Sequence, residues 1–329
     1  MKLPHIIAWE VTKACNLNCL HCRASATATP EPCELDTSEG YALLEDMRHG
    51  GTRLVILTGG EALVRGDIFD LASYGTSLGL RMTLATNGSL VTGEVARRIR
   101  ESGIVRVSVS LDAVTPDVHD AFRGLPGSFE MALRAIETLV GEGVPVQVNT
   151  TVAAVNISHM DRFPAFIRKI GAMAWHVFFL VPTGRGEQVM PARIKEYRDM
   201  LDAFYVTSKA SDIECKATCA PQYYRMLAER DGASPTKGCL AGTEFGFVSS
   251  SGIVQPCGFL QIPCGDIRKD SLQDIWDSSE TFTLLRDEGK LKGKCGDCRF
   301  TPVCGGCRAR AFEVLDDVMQ VDPVCWYPR

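Results

Sequence analysis

Short apolar, β-branched runs recur along the first part of the chain. Each is followed by a stretch whose apolar positions return every three to four residues. The runs at 6–12 (IIAWEVT), 53–58 (RLVILT), 81–86 (RMTLAT), 105–111 (VRVSVSL), 144–152 (VPVQVNTTV) and 175–181 (WHVFFLV) predict strands. The stretches near 37–49, 67–79, 92–102, 128–142 and 158–170 predict the helices between them. Such alternation implies parallel strands with right-handed crossovers. The expected fold class is α/β, a partial (β/α)6 TIM-like barrel, with a doubly wound open sheet as the alternative. Residues 191–230 read as helices carrying Cys215 and Cys219. Beyond a loop at 232–238 the chain turns Cys- and Gly-rich, with a hairpin in FGFVSSSGIVQPC. Three regions are therefore expected: 1–190 as the partial barrel, 191–235 as a helical linker and 236–329 as a cysteine-rich domain.

The unusual residues fall in one place. Cys15, Gly59, Asn87, Asp112 and Arg185 lie at or just beyond predicted strand ends. Parallel α/β folds gather their sites at that edge, so these residues are expected around one mouth.

Composition narrows the function. Among 329 residues, 45% are hydrophobic and 23% charged, as in ordinary globular chains, and a net charge of −5 argues against generic nucleic-acid binding. MKLPHIIAWE lacks a leader's long apolar core, and no apolar run reaches a membrane span, so no membrane association and a cytoplasmic location are expected. Fourteen cysteines without an export signal point to metal rather than disulfides. Four lie between Cys15 and Cys33 and ten between Cys215 and Cys325, which suggests separate metal centres at the two ends.

Cys15, Cys19 and Cys22 in KACNLNCLHC have the spacing C-x3-C-x2-C. Three thiolates can hold three corners of a [4Fe–4S] cube, leaving one iron open to a chelating molecule, whereas a structural cluster takes four. A zinc knuckle is the alternative, but zinc closes with four ligands and His21 is too near Cys22 for an easy tetrahedron. The spacing resembles the signature of the radical S-adenosylmethionine (SAM) enzymes. There the open iron binds the methionyl amine and carboxylate of SAM, and a 5′-deoxyadenosyl radical follows. The resemblance implies a SAM pocket built from Gly59, Gly60 and Glu61, although GGEA here replaces a GGEP-like motif at Ala62. It also implies Asn87 and Ser110 for ribose and carboxylate contacts, Arg123 for the SAM carboxylate, and His21, where an aromatic residue is common, near adenine. Asp112 is a loop-orienting residue, and Val152 is either adenine packing or core.

The later cysteines resemble the SPASM domain. Cys239, Gly252 and Cys257 fit C-x9–15-G-x4-C, and Cys295, Cys298, Cys304 and Cys307 run C-x2-C-x5-C-x2-C before Cys325. The last spacing is one residue shorter than the usual form. The resemblance implies one or two auxiliary [4Fe–4S] clusters. Cys295, Cys298, Cys304 and Cys325 would hold the one farther from SAM, and Cys239, Cys257 and Cys307 the nearer. The fourth place of the nearer set falls to Cys219 or Cys264, or stays open, or that cluster is absent; zinc knuckles are again the alternative.

IIAWEVTKACNLNCLHCRA, ILTGGEAL, FFLVPTGRG, CKATCAPQYYR and GCLAGTEFGFVSSSGIVQPCGFL are similar to the tetrapyrrole-modifying branch of these enzymes. CAPQYYR and VQPCGFL are most similar to its haem-synthase type, which decarboxylates two propionates of Fe-coproporphyrin III to the vinyls of haem b. Didecarboxysirohaem deacetylation, haem d1 synthesis, peptide maturation by a SPASM enzyme and a non-catalytic Fe–S or haem carrier are the other readings. A low-potential donor such as ferredoxin or flavodoxin is implied. Propionates call for arginine; Arg185 in TGRG is the first candidate and Arg23 the second. His5 and His176 are candidates for an axial iron ligand.

Overall fold

In the computed structural model, residues 2–328 are described. Seven parallel strands follow one another: β1 (Ile6–Glu10), β2 (Leu54–Thr58), β3 (Arg81–Thr86), β4 (Arg106–Ser110), β5 (Val146–Val152), β6 (Ala174–Phe179) and β7 (Glu214–Thr218). The helices between them are α1 (Thr37–His49), α2 (Ile68–Ser77), α3 (Gly93–Glu101), α4 (Pro116–Arg123), α5 (Ser128–Gly141), α6 (Phe163–Lys169) and α7 (Ile194–Ala210). The six βα units and the α/β fold class are as expected. A seventh strand was not. β7 carries Cys215 and lies inside the segment read as helical; its sequence, ECKAT, has only one deeply buried side chain, Ala217, to mark it as a strand. Helix α4, begun by Pro116 at its first position and stopped by Gly124 with φ of 70°, was also unforeseen. The stretch at 158–170 opens as a 3₁₀ turn, Ile157–Arg162, before α6.

Period-two alternation decides what each strand offers to each side. On β1, β4, β5 and β6, Trp9, Val107, Val109, Val146, Val148, Trp175 and Val177 are buried in the main core with the helices. Val152 belongs to this core too, so its role is packing. The opposite, inner positions are largely polar: Glu10, Thr83, Ser108, Ser110, Gln147, Asn149, His176 and Lys216. Arg106 on β4 donates to both Glu214 carboxylate oxygens on β7, at 3.1 and 2.9 Å. Three strand spacings would separate these strands by about 14 Å in a flat sheet; the long side chains meet because the sheet curls. Glu214 also bonds His176 Nε2 at 3.0 Å, and Gln147 donates to Asn149 at 2.7 Å. Together these side chains floor the lumen.

After α8 (Pro221–Asp231) the chain returns to the first strand. β8 (Phe245–Val248) pairs in parallel with β1, β9 (Ile253–Gln255) folds back antiparallel on β8, and β10 (Gly265–Asp266) follows, giving one ten-stranded sheet in the order β10-β9-β8-β1-β2-β3-β4-β5-β6-β7. Short helices α9 (Leu272–Ser278), α10 (Glu280–Arg286) and α11 (Gly293–Gly296) lead to α12 (Arg308–Leu315). There Arg310, almost fully buried, donates to Leu180 O just past β6 and to Cys219 O just past β7. The C-terminal region thus meets the barrel on both sides, through β8 and through α12. Among the described residues no helix is long and apolar enough to cross a membrane.

Candidate active site and cysteine clusters

The Cys15–Cys22 loop leaves the end of β1 and is held by its neighbours rather than by any regular element. Cys15 N donates to Thr27 O at 2.7 Å, and Cys22 N to Cys19 O at 3.4 Å. Backbone amides also point at the sulfurs: Leu17 N is 3.4 Å from Cys15 Sγ and Ala26 N is 3.4 Å from Cys22 Sγ. Amide hydrogens on thiolates suit Fe–S ligation, where hydrogen bonds to sulfur help set the potential. Burial pushes the Cys15 thiol up to about 11 and raises Cys19 as well. These sulfurs therefore give up protons to a metal and not to water.

Gly59 and Gly60 sit where expected, just past β2, but their first use is internal. A Cβ on Gly59 would lie 2.5 Å from Thr12 O, and one on Gly60 2.3 Å from Ala14 O. The glycines let this turn lie directly on the cysteine loop, and Gly60 N and Glu61 N donate to Thr12 O and Ala14 O. The buried Glu61 carboxylate accepts from Thr86 Oγ1 and Asn87 N, each at 2.7 Å, and from Leu63 N at 3.1 Å. It fastens the end of β3 to the turn. Asn87 in turn donates to Asn16 Oδ1 at 3.0 Å, within the cysteine loop. Ser110 ends β4 half-buried, and its hydroxyl makes no hydrogen bond to any described residue.

Arg123 and His21 converge on Asp112. Arg123 Nε donates to Asp112 Oδ2 at 2.7 Å and its Nη1 lies 3.9 Å from Cys19 Sγ. Asp112 is fully buried; burial opposes its charge, yet Arg123 holds it below the usual carboxylate range. Arg123 is thus the counter-ion of Asp112 in this structure, at the back of the cysteine loop. His21 stacks on Phe122 with ring centroids 4.0 Å apart, and burial drives its pKa down to about 3, so it is a neutral ring. Its Nδ1 is buried without a partner, a free polar atom beside the third cysteine.

Arg185 reaches the cysteine loop from beyond β6. Its backbone N donates to Cys22 O at 3.0 Å, Nε to Cys19 O at 2.9 Å and Nη1 to Ala26 O at 2.9 Å. Gly184, with φ of +59°, packs so closely that a Cβ would meet Arg23 O at 2.4 Å. Two of its three guanidinium nitrogens are thus spent on loop carbonyls and the third, Nη2, is buried without a partner, so the first propionate candidate braces the cysteine loop. Arg23 is different. It stacks 4.7 Å over Phe247 of β8, and among the described residues its only charged neighbour within 4 Å is Glu10, at 3.8 Å. Glu10 is 92% buried as a side chain, its Oε1 has no hydrogen-bond partner, and burial raises its pKa. His5 lies before β1, at the edge away from the mouth, 3.6 Å from Glu244, and His176 is engaged by Glu214 in the floor. Neither is placed as an axial ligand.

The C-terminal cysteines form two sets. Cys295, Cys298, Cys304 and Cys325 line one small cavity of about 20 Å³, partly open to solvent, with Arg225, Lys294 and Tyr327 on its wall. The second set is closed. Cys219 hydrogen-bonds Cys307, lowering the Cys307 thiol below its usual value, while burial, and then the nearby Cys307, raise Cys239 and Cys257. Phe259 N points at Cys257 Sγ at 3.3 Å. Cys264 is elsewhere, with Ser279 and Thr281. Of the two cysteines named for the fourth place, Cys219 is the one that neighbours Cys307 and Cys257. Asp322 joins the two, lining the first cavity while accepting from Cys307 N at 2.8 Å.

Residues 9–170 match the radical SAM superfamily and residues 239–299 the SPASM iron–sulfur cluster-binding domain. The AdoMet-dependent heme synthase of Methanosarcina barkeri is 44% identical over 98% of this chain and 97% of its own. That of Nitratidesulfovibrio vulgaris is also 44% identical, over 98% and 93%. The chain is a radical SAM enzyme of the AdoMet-dependent heme synthase family. In fold it is similar to Streptococcus suis SuiB bound to S-adenosylmethionine, with a TM-score of 0.81 at 16% identity, covering 99% of this chain and 78% of that one. Membership brings a [4Fe–4S] cluster, SAM and auxiliary Fe–S clusters. The donor chemistry suits them, soft cysteine sulfurs with amides aimed at Cys15, Cys22 and Cys257, although among the described residues no three His, Cys, Asp or Glu side chains converge as a metal ion would need. Sequence reasoning passed over Glu10, Asn149 and Lys216. For Glu10 and Asn149 the signal was available, since each is polar beside buried apolar positions of its strand; for Lys216 it was not, since β7 carries no such alternation.

Proposed function

We propose that this enzyme oxidatively decarboxylates two propionates of Fe-coproporphyrin III to vinyl groups, forming haem b. The observation that carries the reading is the whole-length, 44% likeness to AdoMet-dependent heme synthases. The polar lumen between the cysteine loop and the C-terminal cysteines supports it. Cys15, Cys19 and Cys22 would hold the cluster, which with SAM would supply a carbon radical strong enough to take hydrogen from an unactivated propionate β-carbon. Loss of that hydrogen atom lets the bond from the α-carbon to the carboxylate break. Carbon dioxide leaves, the α–β double bond forms, and one electron remains for a one-electron acceptor. The set of Cys219, Cys239, Cys257 and Cys307 would hold such an acceptor next to Phe259 and Arg310.

The chain's own residues set the geometry. Arg185, Gly60 and Glu61 fix the cysteine loop; Ser110 keeps a free hydroxyl at the strand end; Arg23 offers an uncommitted guanidinium to a propionate. A low-potential ferredoxin or flavodoxin is the expected electron source. Anaerobic turnover with Fe-coproporphyrin III and didecarboxysirohaem side by side, with products read by mass, tests the reading. Conversion of the first to haem b supports it, while conversion of the second alone moves the enzyme to the deacetylase branch.

A further inference from the structure

Lys216 sits on β7, the last parallel strand. Its neighbours Cys215 and Ala217 pack on the core, so Lys216 faces the lumen with Glu214 and Thr218. Register puts it in a row that crosses four strands: Ser110 on β4 opposes Asn149 on β5, Asn149 opposes His176 on β6, and His176 opposes Lys216. The row begins at a residue expected to contact SAM. It ends at an ammonium that makes no hydrogen bond or ion pair with any described residue. The nearest anion on its strand, Glu214, is already taken by Arg106 and His176. Burial pulls the Lys216 pKa down, with Glu214 opposing only in part.

A half-buried cation with no counter-ion costs stability unless something supplies one. On the other side of the lumen Arg23 stacks on Phe247, and its one counter-ion, Glu10, stands 3.8 Å away, too far for a hydrogen bond. We propose that Lys216 is a second carboxylate-binding residue, across the lumen from Arg23, so that a polycarboxylate macrocycle is gripped at two separated acid groups. This rests on the tetrapyrrole reading above and deepens it. A ligand with one carboxylate satisfies one cation, whereas a macrocycle with acid groups around its rim satisfies both and is fixed against rotation. That fixation would present one propionate at a time to the Ser110 end of the row.

The test is anaerobic titration of the cluster-loaded enzyme with Fe-coproporphyrin III, followed by its visible absorption. Lys216→Met should weaken binding about ten- to a hundredfold, the range for a lost charged hydrogen bond. Lys216→Arg should keep it within a few-fold. The tetramethyl ester of the same porphyrin should bind the unaltered enzyme weakly and should not distinguish it from Lys216→Met. Iron content and far-ultraviolet circular dichroism establish that each variant is folded, and the arginine variant carries the test if the methionine variant is not. Equal affinity of Lys216→Met and the unaltered enzyme for the free acid would overturn the proposal and leave the tetrapyrrole reading standing. Failure of the unaltered enzyme to bind Fe-coproporphyrin III would overturn both.

Discussion

The cysteine loop at the start of the chain and the cysteine sets at its end solve opposite problems. The loop supplies three sulfurs, and its carbonyls and amides are held from outside by Arg185, Gly60, Glu61 and Asn87. In the closed C-terminal set, Cys219 from beyond β7 lies against Cys307 and offers a fourth sulfur beside Cys239 and Cys257. A site that must admit a ligand leaves a coordination place free and needs external bracing. One that only passes electrons can saturate itself and be buried. Ligand count, not residue type, separates the two.

The sharpest way to break this contrast is to remove the three-sulfur end. Replacing Cys15, Cys19 and Cys22 together with alanine should abolish 5′-deoxyadenosine formation while iron remains in the C-terminal region, as read by product chromatography and metal analysis. Persistent SAM cleavage would end the assignment. Next in size is the borrowed ligand. Cys219→Ala should lower iron after anaerobic reconstitution by up to about four per chain, the content of one cube, whereas Cys264→Ala should leave it unchanged. Equal losses would return the fourth place to doubt.

Bracing can be tested apart from ligation. Arg185→Ala removes two guanidinium bonds to loop carbonyls and should cost about 1.5–3 kcal/mol of stability, seen in chemical denaturation, with SAM cleavage and porphyrin turnover falling together. Loss of porphyrin binding alone would instead make it a substrate residue. The smallest expected effect lies in the floor of the lumen. His176 and then Arg106 pull Glu214 from 4.5 down to about 2. Its folded value lies below its unfolded one, so its stabilising contribution is whole above about pH 4.5 and fades as the pH falls toward 2. Glu214→Gln should flatten the stability profile in that window and change little at neutral pH.

The strand–helix alternation and the C-x3-C-x2-C loop were legible because each is a local pattern: a period in hydrophobicity, a spacing of sulfurs. β7 was not, because a five-residue edge strand with one deeply buried side chain carries no period. Cys219 stayed one of two candidates, because its contact with Cys307 spans a separation no spacing rule covers. Arg185 was placed correctly at the mouth and misjudged in its bonds. A Gly-flanked arginine reads as mobile, but Gly184 is there so that the loop can lie against Arg23 O. Gly59 and Gly60 teach the same lesson: close approach was foreseen, but the partner is the chain's own backbone.

The parallel pairing of β1 with β8 has a consequence for how this protein is made. Ile6 waits for Phe245. During synthesis, at about 5–20 residues per second, the nearly 240 intervening residues keep one side of the first strand unpaired for on the order of ten to fifty seconds. Through that interval the nascent chain offers an apolar strand edge, an invitation to pair with other chains, beside three unprotected thiols. The wall on which Arg23 rests does not yet exist. The reactive pocket is therefore completed late, although its cysteines leave the ribosome more than 200 residues before Phe247 does.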